Sequence, residues 1–184
     1  MGSKPKNIYA RGADDGAWLG LYLVGMFAFL VASTSTPFAA IPAIAMMLGV
    51  PFLTYYFLRR THCEAHGMTA FSALWMQGIV MFACGSLIFG LVSYLFLRWG
   101  DADFIRNVMV SAVEYYDSLP DPSGQYARMS DELEMMLRHK AIPTAATMTA
   151  AWMWLIVFSG SLLSMLVAAV ARLRRVSPGR GTKQ

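Results

Sequence analysis

The sequence predicts an all-α integral membrane protein: a bundle of four transmembrane helices with an amphipathic helical hairpin outside the bilayer, between the third and fourth. Three observations predict it. Hydrophobic residues make up 57% of the chain and charged ones 14%, where a soluble domain carries ~45–50% and about 25%. The apolar residues fall into four runs long enough to cross a hydrocarbon core, which takes about 20 residues. The basic residues gather in three segments that four spans would place on one side.

The first run spans about 16–33, from Gly16 to the turn Ser-Thr-Ser-Thr-Pro at 33–37. It reaches the upper limit for the apolar core of a cleaved signal and reads as a span instead. The second, 38–58, closes at Arg59-Arg60 and contains Pro42 and Pro51. Proline breaks a soluble helix interior, but in a bundle neighbouring helices can satisfy the freed carbonyls. The third, 71–97, is uncharged throughout and ends at Arg98-Trp99, and the fourth, 145–173, follows Pro143, a residue suited to a helix start. Residues 98–144 differ. Phe104, Ile105, Val108, Met109, Ala112, Val113 and Tyr116 recur at the spacing of one helix face, with Asp101 or Asp103 as N-cap. Pro120, Pro122 and Gly124 supply turn chemistry. A second short helix is expected from Ser130, with Asp131 and Glu132 favourable in its first turn and Met129, Leu133, Met136 and Leu137 as its apolar stripe.

Charge sets the orientation. Lys4, Lys6 and Arg11 precede the first span, Arg59 and Arg60 follow the second, and Arg172, Arg174, Arg175, Arg180 and Lys183 close the chain. The long hairpin instead carries Asp101, Asp103, Glu114, Asp117, Asp121, Asp131, Glu132 and Glu134 against fewer basic residues. Segments 1–15 and 176–184 are therefore expected in the cytoplasm and 98–144 in the periplasm, within a membrane domain covering 16–175. The net charge of +4 is an orientation signal rather than a nucleic-acid footprint.

Candidate chemistry is sparse. The interiors of the four apolar runs lack Asp, Glu, Lys, Arg and His, the residues that mark ion paths and proton relays. Gln77, Tyr55, Tyr56, Ser86, Ser93, Ser159 and Ser164 are their deepest polar groups, of the kind that tie helices together. His62, Cys63, Glu64 and His66 have the His spacing of a zinc helix, but Cys63 stands where the catalytic Glu belongs. The expected reading is a solvated polar turn, with no metal and no cofactor. Cys63 is then a free thiol and Cys84 a small packing residue inside span three. Small residues four apart (Gly16 and Gly20, Ser86 and Gly90, Gly160 and Ser164) permit close helix approach, and favour internal bundle packing over a dimer.

Four stretches together resemble a family: Asp-Gly-Ala-Trp-Leu-Gly-Leu-Tyr at 15–22, Pro51 through Arg59-Arg60, Thr-Ala-Phe-Ser-Ala-Leu-Trp-Met-Gln-Gly at 69–78, and Asp103-Phe104. The chain is similar to the bacterial membrane proteins grouped as domain-of-unknown-function family 4199, over roughly residues 11–175. The resemblance implies four spans and a helical extracytoplasmic insertion, with no catalytic residue to carry over. It also implies a partner, a membrane-associated family 2 glycosyltransferase. The function expected is a non-enzymatic accessory or assembly subunit of the bacterial inner membrane, partnered by another membrane protein or a second copy. A transporter or lipid flippase component is the second reading, since Pro42 and Pro51 could bend a span around a cavity; a hydrophilic groove lined by Tyr55, Tyr56 and Gln77 would favour it. A metal-dependent enzyme using His62, Glu64 and His66 is the third. The acidic hairpin gains little from anionic headgroups, so Phe104, Ile105, Val108, Met109 and Tyr116 are the candidate partner contact.

Overall fold

The computed structural model describes residues 7–65, 68–100, 104–120, 124–139 and 143–173, and all regular structure among them is helical. Four helices are long and apolar enough to cross a membrane: α1 (Ile8–Ser33), α2 (Ala40–Glu64), α3 (Phe71–Leu95) and α6 (Ala145–Leu173). Two shorter helices, α4 (Phe104–Ser118) and α5 (Gln125–Arg138), lie between α3 and α6 in sequence. The chain divides into two compact units. One holds residues up to Gly90 and from Trp152, and the other holds Leu91–Ala151.

In the first unit several polar side chains are buried while many large apolar ones face outward. Thr54, Thr61, Gln77 and Ser164 are buried, whereas Phe52, Tyr56, Leu155 and Phe158 are well exposed. Water would penalise that surface at roughly 25 cal/mol per Å² of apolar area, and a hydrocarbon solvent removes the penalty. The chain is a multi-pass membrane protein on this ground as well as on span length.

The first two helices differ from their expected spans. Helix α1 starts at Ile8, two turns before Gly16, so Arg11, Asp14 and Asp15 are helical. It ends where the Ser33 and Thr34 hydroxyls donate to the Leu30 and Val31 carbonyls. A short 3₁₀ turn, Pro37–Ala39, leads into α2. Pro42 falls in the first turn of α2, where its missing N–H has no partner to lose. Pro51 alone is interior, and the buried Thr54 hydroxyl donates to the Val50 carbonyl beside it at 2.8 Å. Helix α2 runs on through Glu64, so Thr61, His62, Cys63 and Glu64, expected in a polar turn after Arg60, continue the same helix.

Helix packing in this unit rests on glycine. A Cβ at Gly16 would lie 2.7 Å from the Met81 carbonyl oxygen, and one at Gly20 would lie 3.0 Å from that of Gly85. Gly12 continues the same row against Gln77 and Val80. Backbone therefore meets backbone along the α1–α3 crossing, as small residues allow in membranes. Gly78 meets Ser164, Gly160 meets the Phe82 ring and Gly90 meets Met153, which closes α3 on α6. All three small-residue pairs serve internal packing, as expected, and Cys84 packs at the Gly16 crossing. Side chains add ties to backbone carbonyls: Tyr22 to Met46 at 2.8 Å, Trp75 to Ser161 at 3.2 Å and Arg59 to Ala171 at 3.1 Å. Phe27, Phe89 and Trp152 form an edge-to-face aromatic cluster.

In the second unit α3 widens into a π-helical turn, Phe96–Gly100, which buries Leu97 and sets the Phe96 ring edge-on to Phe104 at 5.5 Å. The expected N-cap, Asp101 or Asp103, lies outside the described residues. Helix α5 begins at Gln125 rather than Ser130. Gly124 adopts a left-handed conformation, φ +67°, which only glycine enters freely and which turns the chain before Gln125. Tyr126 then stacks on Tyr116 with planes 12° apart. Ser130 is thereby an interior residue that donates to Asp117 at 2.6 Å, and Asp131 and Glu132 fall in the second turn, beyond the reach of the helix N-terminus. Thr144 rather than Pro143 caps α6, accepting the Thr147 N–H at 3.2 Å.

Candidate functional site

The polar groups of the first unit converge where the N-terminal end of α1 meets the C-terminal end of α2. Gln77 on α3 is 1% exposed. Its Nε2 donates to Asp15 on α1 and to Thr61 on α2, both at 2.9 Å. One amide thus joins three helices, and its two N–H groups are both used. Glu64 accepts from Arg60 Nε at 3.0 Å and also from Arg11, so a second link ties α1 to α2. These charges sit outside the apolar runs but inside the helices. Sequence reading placed them in solvated flanks because it ended the helices with the hydrophobicity.

Gln77 was expected to tie helices, and it does. Replacing it with Leu removes two hydrogen bonds and leaves the half-buried Asp15 carboxylate without its donor. Intramembrane side-chain bonds average about 0.6 kcal/mol, and an orphaned polar group adds about 1–3 kcal/mol. Gln77→Leu is expected to lower thermal stability in detergent by about 1–3 kcal/mol in total. Asp15→Asn, whose carbonyl can still accept, is expected to cost less. Equal losses would show that the Gln77–Asp15 bond contributes little.

Tyr55, Tyr56 and Gln77 do not line a common groove, the feature that would favour a transporter. Tyr55 packs on the buried cluster of Leu58, Leu74, Val167 and Ala168, and Tyr56 is exposed on the outer side of α2. A groove of about 1600 Å³ lies instead along α1 and α2, with Asp15, Arg60 and Glu64 at one end and Trp18, Leu21 and Leu53 at the other. The His-Cys-Glu run does not converge either. His62 is buried at 4% exposure, Cys63 is exposed and Glu64 is held by the two arginines. His66 lies outside the described residues. Burial of His62 overturns the reading of this run as a wholly solvated turn: helix continuation places it against the bundle.

In the second unit the candidate contact residues separate. Phe104 is buried on Phe96 and Tyr116 stacks on Tyr126, so both hold the hairpin together. Ile105 and Met109 are half-buried. Val108 is 43% exposed, and Val110, Tyr115, Met129 and Met135 are exposed with it. The periodicity marked the first-helix stripe correctly but could not say which part covers the partner helix, because that depends on where α5 begins.

A family model described as protein of unknown function (DUF4199) matches residues 15–172. Comparison with curated proteins and with solved structures finds no match.

Proposed function

The chain belongs to this family of proteins of unknown function, DUF4199, and on that premise we propose that it is a non-enzymatic accessory subunit whose hairpin docks a second membrane protein. One observation carries the reading. Helices α4 and α5 pack on each other yet leave Val108, Tyr115, Met129 and Met135 uncovered, in a segment too polar to span a membrane. Surface of that kind marks a contact site. The acidic residues Glu114, Asp117, Asp131, Glu132 and Glu134 around it disfavour anionic lipid as the cover. A partner in envelope biogenesis, such as a membrane-associated glycosyltransferase, is the class the family resemblance implies.

The test compares tagged wild-type protein with Val108→Asp and Met129→Asp after solubilisation of native membranes. A protein recovered in fixed proportion with the wild type, and at least tenfold depleted in both variants, is the expected result. A partner retained at full level by both variants contradicts the reading.

The proposal places both termini in the cytoplasm and the hairpin on the far side of the inner membrane, from the bias of Lys and Arg. Alkaline phosphatase fused after Gly124 is then expected to be active, and the same enzyme fused after Gln184 inactive. The opposite pattern would invert the orientation and place the docking surface in the cytoplasm.

A further inference from the structure

We propose that the groove between α1 and α2 is a binding site for a zwitterionic glycerophospholipid of the phosphatidylethanolamine type, its headgroup at the charged end and an acyl chain along the apolar end. The geometry is that of an amphiphile. The groove measures about 1600 Å³, above the ~300–1,000 Å³ usual for drug-sized ligands. Trp18, Leu21, Leu53 and Phe57 line one part, and Arg11, Asp14, Asp15, Arg60 and Glu64 line the other. The charged part lies where both helices leave their apolar stretches, Gly16–Ser33 and Phe38–Leu58, which is the depth of lipid headgroups. A chain held there runs in the same direction as the helices beside it.

Charge complementarity selects the headgroup. Two guanidinium groups and three carboxylates line the charged end, and Glu64 is engaged by both arginines. Arg60 reaches Glu64 through Nε, which leaves its terminal nitrogens for a phosphate oxygen. Asp15 accepts the Gln77 amide on Oδ2, which leaves Oδ1 to receive an ammonium. A phosphatidylglycerol headgroup brings the same phosphate to the arginine but sets only a neutral glycerol beside Asp15, whose carboxylate is then left without a cation. A headgroup bearing both signs meets both.

The experiment adds dioleoylphosphatidylethanolamine or dioleoylphosphatidylglycerol, at equal concentration, to delipidated full-length protein in detergent and counts bound lipid by native mass spectrometry. One phosphatidylethanolamine per chain, retained at least fivefold better than phosphatidylglycerol, is expected. Arg60→Gln is expected to reduce retention at least fivefold. Ala17→Trp, which fills the groove from the exposed face of α1, is expected to abolish it while the melting temperature of the lipid-free protein stays within two or three degrees, a shift of about 1 kcal/mol or less. Equal retention of the two lipids, preference for phosphatidylglycerol, or retention unchanged in both variants would overturn the proposal. None of these outcomes bears on the hairpin partner.

Discussion

Gly16→Leu is expected to prevent assembly of the folded bundle. The substitution places a side chain where a single Cβ already falls 2.7 Å from the Met81 carbonyl oxygen and 2.8 Å from the Cys84 Cβ. Two of the three nearest atoms are backbone of α3, so no rotamer change gives relief. Overpacking a tight core costs about 1–3 kcal/mol when side chains can move, and here the helices themselves must separate. Separation would also weaken the Gly12 and Gly20 contacts in the same row and draw Asp15 away from Gln77. The measurement is size-exclusion chromatography with thermal unfolding in mild detergent. Loss of the monodisperse wild-type peak is expected for Gly16→Leu, and an intermediate loss for Gly16→Ala. A Gly16→Leu variant with the wild-type profile would mean that α1 and α3 do not approach as closely as described. Gly25 provides the contrast, because its Cβ would meet only the flexible end of Met46 at 3.4 Å. Gly25→Ala is expected to leave the profile unchanged.

Phe104→Asp is expected to unfold the hairpin while the four spans remain inserted. Phe104 is 9% exposed and packs edge-on against Phe96 at the π-helical turn. Truncating a buried Phe costs about 3–5 kcal/mol, and an uncompensated carboxylate at the same place adds to that. Limited proteolysis is expected to cut within 104–139 in this variant and to spare the wild type. Val108→Asp, at an exposed position of the same helix, is expected to resist the protease and lose only the partner. If the two variants behave alike, α4 has no distinction between a packing face and a contact face. Structural and functional parts of the stripe would then be one surface.

The fold was readable in the sequence where hydrophobicity decides it. Run length gave α6 its boundaries and placed α3 within a few residues, because nothing but lipid and neighbouring helices surrounds those stretches. It failed at the first end of α1 and the last end of α2, where charged residues stay helical by pairing across helices. Asp15 bonds to Gln77, and Glu64 bonds to Arg11 and Arg60, so charge there does not signal departure from the structure. One signal was available. Gly12 continues the row of Gly16 and Gly20 at the spacing of four, which extends the helix past the first span's expected start. The groove had no comparable signal, since its two walls are 30 or more residues apart and its charged lining looks like a flank. In the hairpin, the apolar periodicity of α4 was sound. The start of α5 was misplaced because Ser130 followed by Asp131 and Glu132 looks like a helix start. The left-handed Gly124 and the stacking of Tyr126 on Tyr116 set the start earlier.

Site-directed photocrosslinking in native membranes tests the docking surface most directly. A photoreactive residue is placed singly at Val108, at Met129 and at the outward-facing Leu155 of α6. The expected result is a discrete protein adduct of one mass at Val108 and Met129, absent at Leu155, where lipid covers the helix. A hairpin that forms no protein adduct, or an adduct equally strong at Leu155, would contradict the reading of this chain as a subunit that docks through α4 and α5.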